Sequence, residues 1–456
     1  MAKKDVNMLS GSITKGLLAI AIPIMLMNVL TSLFNIIDMR MLKAYDTGLS
    51  VGAVGAGSTL ITFISNLVTG VATGANVAVA RHIGRKEPKD AQKAAGTAIA
   101  FAFAASMVLA VIGIAFASPL LDMMNCTQEL KDHGAVLYFQ MYFAGIPVLM
   151  IYTFCGSILR STGSSKRLMV ISITGGAVKV VVTFLFVKVI PLSVLGVSLA
   201  NIVSWLVFFG MALWSLTRKD STVKVELKHI RFDKAELMPI LRVGVPSALQ
   251  MGMYSIANVI IAAAVNKFGT AATTGVSIAN TFDGVLYNLS HATSLAVLPY
   301  VSQNIGAANV KRAAQSVWKG MLITIGVGAI LGGLSAGFAT QLASIMSDDP
   351  AAIGYARQKM IIISSTYFIC GINDIICAAL RGMGKPMVPT VATMVFMCGL
   401  RFLWVYAIFP LVPNLTFLYL VWPIGWVLSI ISLLPVYFPR VKELKAKYQP
   451  EQTLQV

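Results

Sequence analysis

Leu159-Arg160-Ser161-Thr162-Gly163 closes one long apolar stretch of the chain, and Leu380-Arg381-Gly382-Met383-Gly384 closes another. Each opens a short basic loop, and a shift of about 222 residues brings the two together. The same shift aligns Ile22-Pro23 with Val245-Pro246 and Asn35 with Asn258. It also aligns Ile83-Gly84, followed by Lys89 and Ala91, with Ile305-Gly306, followed by Lys311 and Ala313. Marked positions that recur in order over the whole length signal an internal repeat. The expected organisation is therefore two related halves, residues 1–217 and 237–456, joined by a basic cytoplasmic linker at 218–236.

The stretches between these marks are apolar. Of 456 residues, 57% are hydrophobic and 12% charged, with a mean hydropathy of +0.78, whereas soluble globular chains carry about 25% charged residues. Runs of roughly 20 to 30 apolar residues are long enough to cross a hydrocarbon core of about 30 Å. Helices are predicted at 16–37, 51–80, 94–118, 135–159, 168–190 and 194–216, and again at 238–264, 271–300, 315–341, 358–380, 387–411 and 415–438. The fold class is all-α: about twelve transmembrane helices in two six-helix lobes around a central cavity. An even number of crossings per half makes the lobes enter the membrane in the same sense, related by an axis along its normal.

A net charge of +18 raises nucleic acid as a partner, but the basic residues alternate between loops instead of covering one soluble face. The N-terminus, the even-numbered loops and the C-terminal tail hold 27 of the 36 Lys and Arg, the odd-numbered loops 7. The positive-inside rule then puts both termini in the cytoplasm of a multi-pass cell-membrane protein. The first apolar run follows Lys3, Lys4 and Lys15 but has no small-residue cleavage site, so it is read as a retained helix. Of the five cysteines, four fall inside predicted helices without metal-ligand spacing. No Walker-type loop and no cytoplasmic stretch large enough for an ATPase is present, so no cofactor is expected and the energy source is an ion gradient. Four scattered histidines make no catalytic cluster, which argues against a membrane enzyme.

Charges inside a bilayer are costly unless paired or wet, and each is a candidate for function. Five are singled out: Asp38, Lys179, Asp283, Asp374 and Arg401. Asp38 has Asn35 one turn away on the same face, so the two offer oxygen ligands to a proton or a small cation; the alternative is a helix-end carboxylate paired with Arg40 or Lys43. Lys179 lies too deep in helix 5 to snorkel, and Asp38 is the carboxylate within the membrane portion of its half, so the two are expected to pair. Asp374, beside Asn373, repeats the amide-and-carboxylate combination, with a structural pairing to Arg401 as the alternative. Asp283, with Asn280 one turn earlier and His291 two turns later, is expected to line the same cavity or to make a polar contact at the outer face.

On these residues the chain resembles the multidrug and toxic compound extrusion family, part of a superfamily that includes polysaccharide and lipid-linked oligosaccharide flippases. The resemblance rests on Ala21-Ile22-Pro23 leading to Asn35-Ile36-Ile37-Asp38, on Ala53-Val54-Gly55, on Ile83-Gly84-Arg85-Lys86, on Leu159 to Gly163, and on their counterparts in the second half. It implies an antiporter that expels organic cations and amphipathic drugs in exchange for Na+ or H+, acting as a monomer among membrane lipids. It implies that the family's acidic positions fall on Asp38 and Asp374, each a possible Na+ ligand, and that Lys179, Thr183 and Asn201 surround the first of them. Many members carry Asn and Asp where this chain has Lys179 and Thr183, and the helix 7 glutamate of some members has no counterpart near Tyr254. Three readings stay open: protonation of Asp38 coupled to release of Lys179, an ion site near Asp374, or a different cargo. A flippase for anionic headgroups, whose cavity would be lined with Arg and Lys, is the alternative to a drug antiporter.

Overall fold

The computed structural model describes residues 5–45, 48–124, 126–218 and 221–452. Twelve long helical segments run through them: α1 Ile13–Tyr45, α2 Leu49–Gly84, α3 Pro88–Ala115, α4 Gln128–Ser161, α5 Ser165–Val189, α6 Ser193–Thr217 and α7 Lys234–Asn266. There follow α8 Thr270–Gly306, α9 Val310–Gly337, α10 Pro350–Ser364 with Tyr367–Gly382, α11 Met387–Leu411 and α12 Leu415–Tyr448. Ten of them are long and apolar enough to cross a membrane singly, and α10 makes an eleventh when its two parts, bent by 45°, are one span. The remaining helix, α8, spans 37 residues but is rich in Thr, Ser and Asn and packs against α9 and both parts of α10. From Asp283 onward its polar residues Ser290, Thr293, Ser294, Ser302, Gln303 and Asn304 are buried in protein, where a bilayer tolerates them, whereas Thr273, Thr274, Ser277, Asn280 and Thr281 of its first half are exposed.

The repeated pentapeptides are the same helix ending built twice. Gly163 and Gly384 adopt φ of +83° and +84°. In the first copy Gly163 N–H donates to the Arg160 carbonyl at 3.1 Å and Ser164 N–H to that of Leu159 at 3.0 Å. In the second, Gly384 donates to Arg381 at 3.1 Å and Lys385 to Leu380 at 2.9 Å. This is the Schellman closure, in which a left-handed residue turns the chain back on the last carbonyls. A glycine takes that conformation without a Cβ penalty, which explains why it recurs at the fifth place.

Grouped by contacts, the described chain forms two compact units whose bounds cross the 1–217, 218–236 and 237–456 division. One comprises Asp5, Leu26–Val79 and Glu87–Gly244; the other Val6–Met25, Ala80–Lys86 and Val245 onward. The start of α1 belongs to the second unit because its backbone is held there: Arg312 donates from Nε to the Met8 carbonyl at 2.9 Å, from Nη1 to Gly11 at 3.0 Å and from Nη2 to Ser10 at 2.7 Å. A Cβ at Gly16 would sit 2.0 Å from the Tyr300 hydroxyl, so only glycine permits that approach. The linker joins the first unit, where Thr97 Oγ1 donates to the Arg231 carbonyl at 3.1 Å and Val225 N–H to Leu216 at 2.9 Å. Within it, Lys228 and Lys224 hydrogen-bond Glu226 and push its carboxyl down to about 2.

The core of each unit is aromatic and aliphatic. In the first, Leu121, Phe139, Tyr142 and Phe143 pack with Leu42, Val54 and Val197; in the second, Trp404, Phe409, Tyr419 and Trp426 pack with Ile261, Leu286 and Met397. Of the cysteines, Cys155, Cys370, Cys377 and Cys398 are buried and Cys126 is half-buried; all are free, as small apolar residues would be.

Candidate functional site

In α5 the pair Gly175-Gly176 brings two neighbours close. A Cβ at Gly176 would lie 1.9 Å from the Phe34 ring of α1, and one at Gly175 would lie 2.2 Å from the Phe208 ring of α6. With α5 fitted this closely against α1, the next turn delivers its side chains to Asp38. Lys179 Nζ stands 2.6 Å from Asp38 Oδ2, and Thr183 donates from Oγ1 to Asp38 Oδ1 at 2.9 Å. The two side chains of the ion pair are 12% and 6% exposed. Just beyond Thr183, Ile190 N–H reaches back five residues to the Leu185 carbonyl at 3.0 Å, a widened turn of the kind common at functional positions.

Asp38 and Lys179 lie on the wall of a cavity of about 390 Å³ within the first unit. Tyr138, Tyr142, Trp205 and Phe208 give it aromatic faces, and Asn201 and Thr31 give it polar ones. Asn201 bonds Tyr138, and Ser65 bonds the Tyr142 hydroxyl at 2.9 Å. Asn35 is on the same helix as Asp38, but its side chain lies outside the described residues. Arg40 and Lys43, the alternative partners of Asp38, give way to Lys179, which approaches from a neighbouring helix.

The second unit arranges its charges differently from the sequence expectation. Asp374 does not pair with Arg401; its Oδ2 lies 2.8 Å from His291 Nδ1 of α8. Arg401 donates from Nη1 to Asn258 Oδ1 at 2.7 Å and stands over the Tyr254 and Trp422 rings at 4.8 and 5.1 Å. Asn373 does not share a site with Asp374, because adjacent helix positions point about 100° apart. It accepts instead from Ser429 Oγ of α12 at 2.8 Å. Nor does His291 serve Asp283, whose Oδ2 is 2.9 Å from Lys359 Nζ; the same ammonium hydrogen-bonds Asn280, one turn from Asp283.

Lys359 is the residue that the sequence reading missed. It sits in the third turn of α10's first part and is 2% exposed. The signal for it was Asp283: a buried carboxylate needs a cation, and Lys359 lies within the predicted span 358–380. The side chains of this pair are 3% and 9% exposed, which leaves it more enclosed than Asp38–Lys179.

The comparisons with known proteins meet this geometry at both halves. The MatE family model matches residues 23–185 and 246–407, one copy per half. The chain belongs to the MatE family. Among curated relatives, it is 25% identical over 86% of both chains to the "Probable multidrug resistance protein YoeA" of Bacillus subtilis. It is 24% identical to the "FAD transporter" of Shewanella oneidensis, over 84% of this chain and 85% of the relative. Among solved structures, "Crystal structure of MATE in complex with MaL6" superposes with a TM-score of 0.89 at 20% identity, covering 98% of this chain and 100% of that one. A Pyrococcus furiosus transporter of the MOP superfamily, whose report reads "Reverse polarity of binding pocket suggests different function", also gives 0.89, at 21% identity and 98% and 99% coverage. The fold is thus that of a MatE membrane transporter.

Proposed function

We propose that this MatE transporter is a secondary active antiporter, exporting organic cations and amphipathic molecules in exchange for H+ or Na+ by alternating access. The carrying observation is a carboxylate, Asp38, held by Lys179 and Thr183 on the wall of an aromatic cavity. Aromatic faces attract flat organic cations, and a buried carboxylate is the group on which such a cation and a coupling ion compete. Relatives that are named multidrug resistance proteins support the cargo class. The loop-charge asymmetry supports a cytoplasmic position for both termini.

The pair also bears on the choice of coupling ion. Both Asp38 oxygens are engaged, one by an ammonium and one by a hydroxyl. A sodium ion therefore meets a fixed positive charge at the seat it needs, whereas a proton added to Asp38 neutralises the carboxylate and frees Lys179. Proton coupling through Asp38 is the better supported form.

A second reading is favoured by Arg401: among the described residues no carboxylate lies within ion-pair distance of its buried guanidinium, which suits an anionic cargo or lipid headgroup. Efflux of ethidium from cells expressing the wild type, Asp38→Asn or Asp374→Asn, with a proton or a sodium gradient imposed, separates the two. Gradient-driven efflux lost in the variants supports the antiporter. No efflux under either gradient, with the protein present in the membrane, removes it in favour of an anionic cargo.

A further inference from the structure

One exposed face of α12 changes character along its length. Ile431, Pro435 and Phe438 stand on it, followed by Lys442 and Lys445, each three or four residues from the last and all exposed, which is the spacing of a single helix stripe. Phe438 is 63% exposed, and about 6 Å of helix rise separates it from Lys442. The opposite face stays packed: Leu433, Tyr437 and Leu444 are buried, and Arg440 donates from Nη2 and Nε to the Met383 carbonyl at 2.9 and 3.3 Å. The helix therefore runs on, still held by protein, past the point where its outer face turns from apolar to basic.

A second helix, α9, packs against α12 and makes the same change in the opposite chain direction. Leu322 and Trp318 are exposed, Trp318 by 63%, and Gln315 and Lys311 follow on the same face toward the helix start, also exposed. The two basic stretches lie at one end of the second unit. A Cβ at Gly306, just before α9, would sit 2.3 Å from the Arg81 carbonyl; Arg81 Nη2 in turn donates to the Gly382 carbonyl at 3.0 Å, beside the Met383 carbonyl that Arg440 holds. A tryptophan between aliphatic and charged residues marks the level of lipid headgroups, and lysines beyond it extend their ammonium groups into that layer. Glu443 is answered by Arg440 at 2.5 Å. Among the described residues, no carboxylate lies within ion-pair distance of Lys311, Lys442 or Lys445.

We propose that this end of the second unit is a binding surface for anionic phospholipids, with acyl chains along Trp318 and Phe438 and phosphate groups held by Lys311, Lys442 and Lys445. On the loop-charge reading the leaflet is the cytoplasmic one. The surface stands whatever the cargo is, since none of these residues belongs to the cavity or to a buried ion pair. Charge decides the headgroup: three unanswered ammonium groups attract a lipid of net negative charge, whereas a zwitterionic headgroup brings an ammonium of its own against them. The apolar stripes decide between a lipid and a soluble polyanion. A polyanion in water would meet the lysines alone, but a lipid uses the lysines and the exposed rings below them together.

Tryptophan quenching of the full chain in nanodiscs tests the proposal. Brominated phosphatidylglycerol and brominated phosphatidylcholine are compared at equal mole fraction in a phosphatidylcholine background, and the Trp318 contribution is the part lost in Trp318→Phe. Trp318 should be quenched more strongly by the phosphatidylglycerol. The triple variant Lys311→Gln, Lys442→Gln, Lys445→Gln should lose that preference, each ammonium contributing about fivefold. Arg at the same three positions keeps the charge and should keep the preference, which a loss of fold would not. Equal quenching by the two lipids, a preference unchanged in the triple Gln variant, or one lost equally with Gln and with Arg would each overturn the proposal. Lysine-dependent binding of a fluorescent oligonucleotide to the detergent-solubilised protein, without a phosphatidylglycerol preference in nanodiscs, would overturn it in favour of a soluble polyanion.

Discussion

In the first half the cation of α5, Lys179, reaches a carboxylate on α1; in the second the cation at the matching place on α11, Arg401, reaches an amide on α7. The amide, Asn258, is the counterpart of Asn35, one turn before Asp38. At the counterpart of Asp38 itself stands Ile261, 3% exposed in the second core. The scaffold thus repeats a cation on its fifth helix that reaches for its first, while the acid has been kept in one half only. In the second half the acids sit elsewhere, on α8 and α10, each with its own partner. Two halves with one geometry and different charge placement can take different ions or move at different steps.

The sharpest way to break this comparison is to remove one cation from each half. Lys359→Ala leaves Asp283 buried and unpaired, a change that costs about 3–5 kcal/mol. It should lower the thermal midpoint of the detergent-solubilised protein strongly, and Asp283→Asn with Lys359→Gln should recover most of the loss. Lys179→Ala, in the more open pair beside the cavity, should cost less stability than Lys359→Ala. If the two losses were equal, the distinction between a structural pair and a coupling pair would fall.

Gly176→Ala acts on the first half through packing. Its Cβ would fall 1.9 Å from the Phe34 ring, and relieving that overlap costs about 1–3 kcal/mol. Because the shift moves α5 from α1, ethidium transport should drop along with thermal stability. Unimpaired transport would show that the Lys179–Asp38 contact does not depend on this approach.

The smallest effects test what the halves share. Gly163→Ala and Gly384→Ala place a Cβ on residues at φ of +83° and +84°, each costing about 1 kcal/mol. The loss in thermal stability at Gly384 should equal or exceed that at Gly163, since the caps have the same bonds but a Cβ at Gly384 would also lie 3.0 Å from Arg81 Nη2. A larger loss at Gly163 would show that the first ending is held by its surroundings instead of by its own turn.

The caps, the repeat and the helix count were legible because they depend on local spacing, and the MatE match to 23–185 and 246–407 follows the same repeat. The Lys179–Asp38 contact was legible for a different reason: one deep lysine and one deep aspartate in the same half leave little choice of partner. The second half offered two aspartates, an arginine, a histidine and, unrecognised, Lys359. Which of these meet depends on the rotation of α8, on the bend between Ser364 and Tyr367 and on the tilt of α11, none of which periodicity reports. Adjacent residues misled for the same reason, as Asn373 and Asp374 face different helices.

In the first half a proton on Asp38 competes with Lys179. The most direct test is ethidium efflux driven by a proton gradient in everted vesicles, measured across pH for the wild type, Lys179→Ala and Asp38→Asn. Asp38→Asn should abolish coupled efflux, and Lys179→Ala should stay active with its pH profile displaced, because a proton no longer competes with the ammonium for the carboxylate. A Lys179→Ala profile that superimposes on the wild type, at comparable protein in the membrane, would contradict that competition.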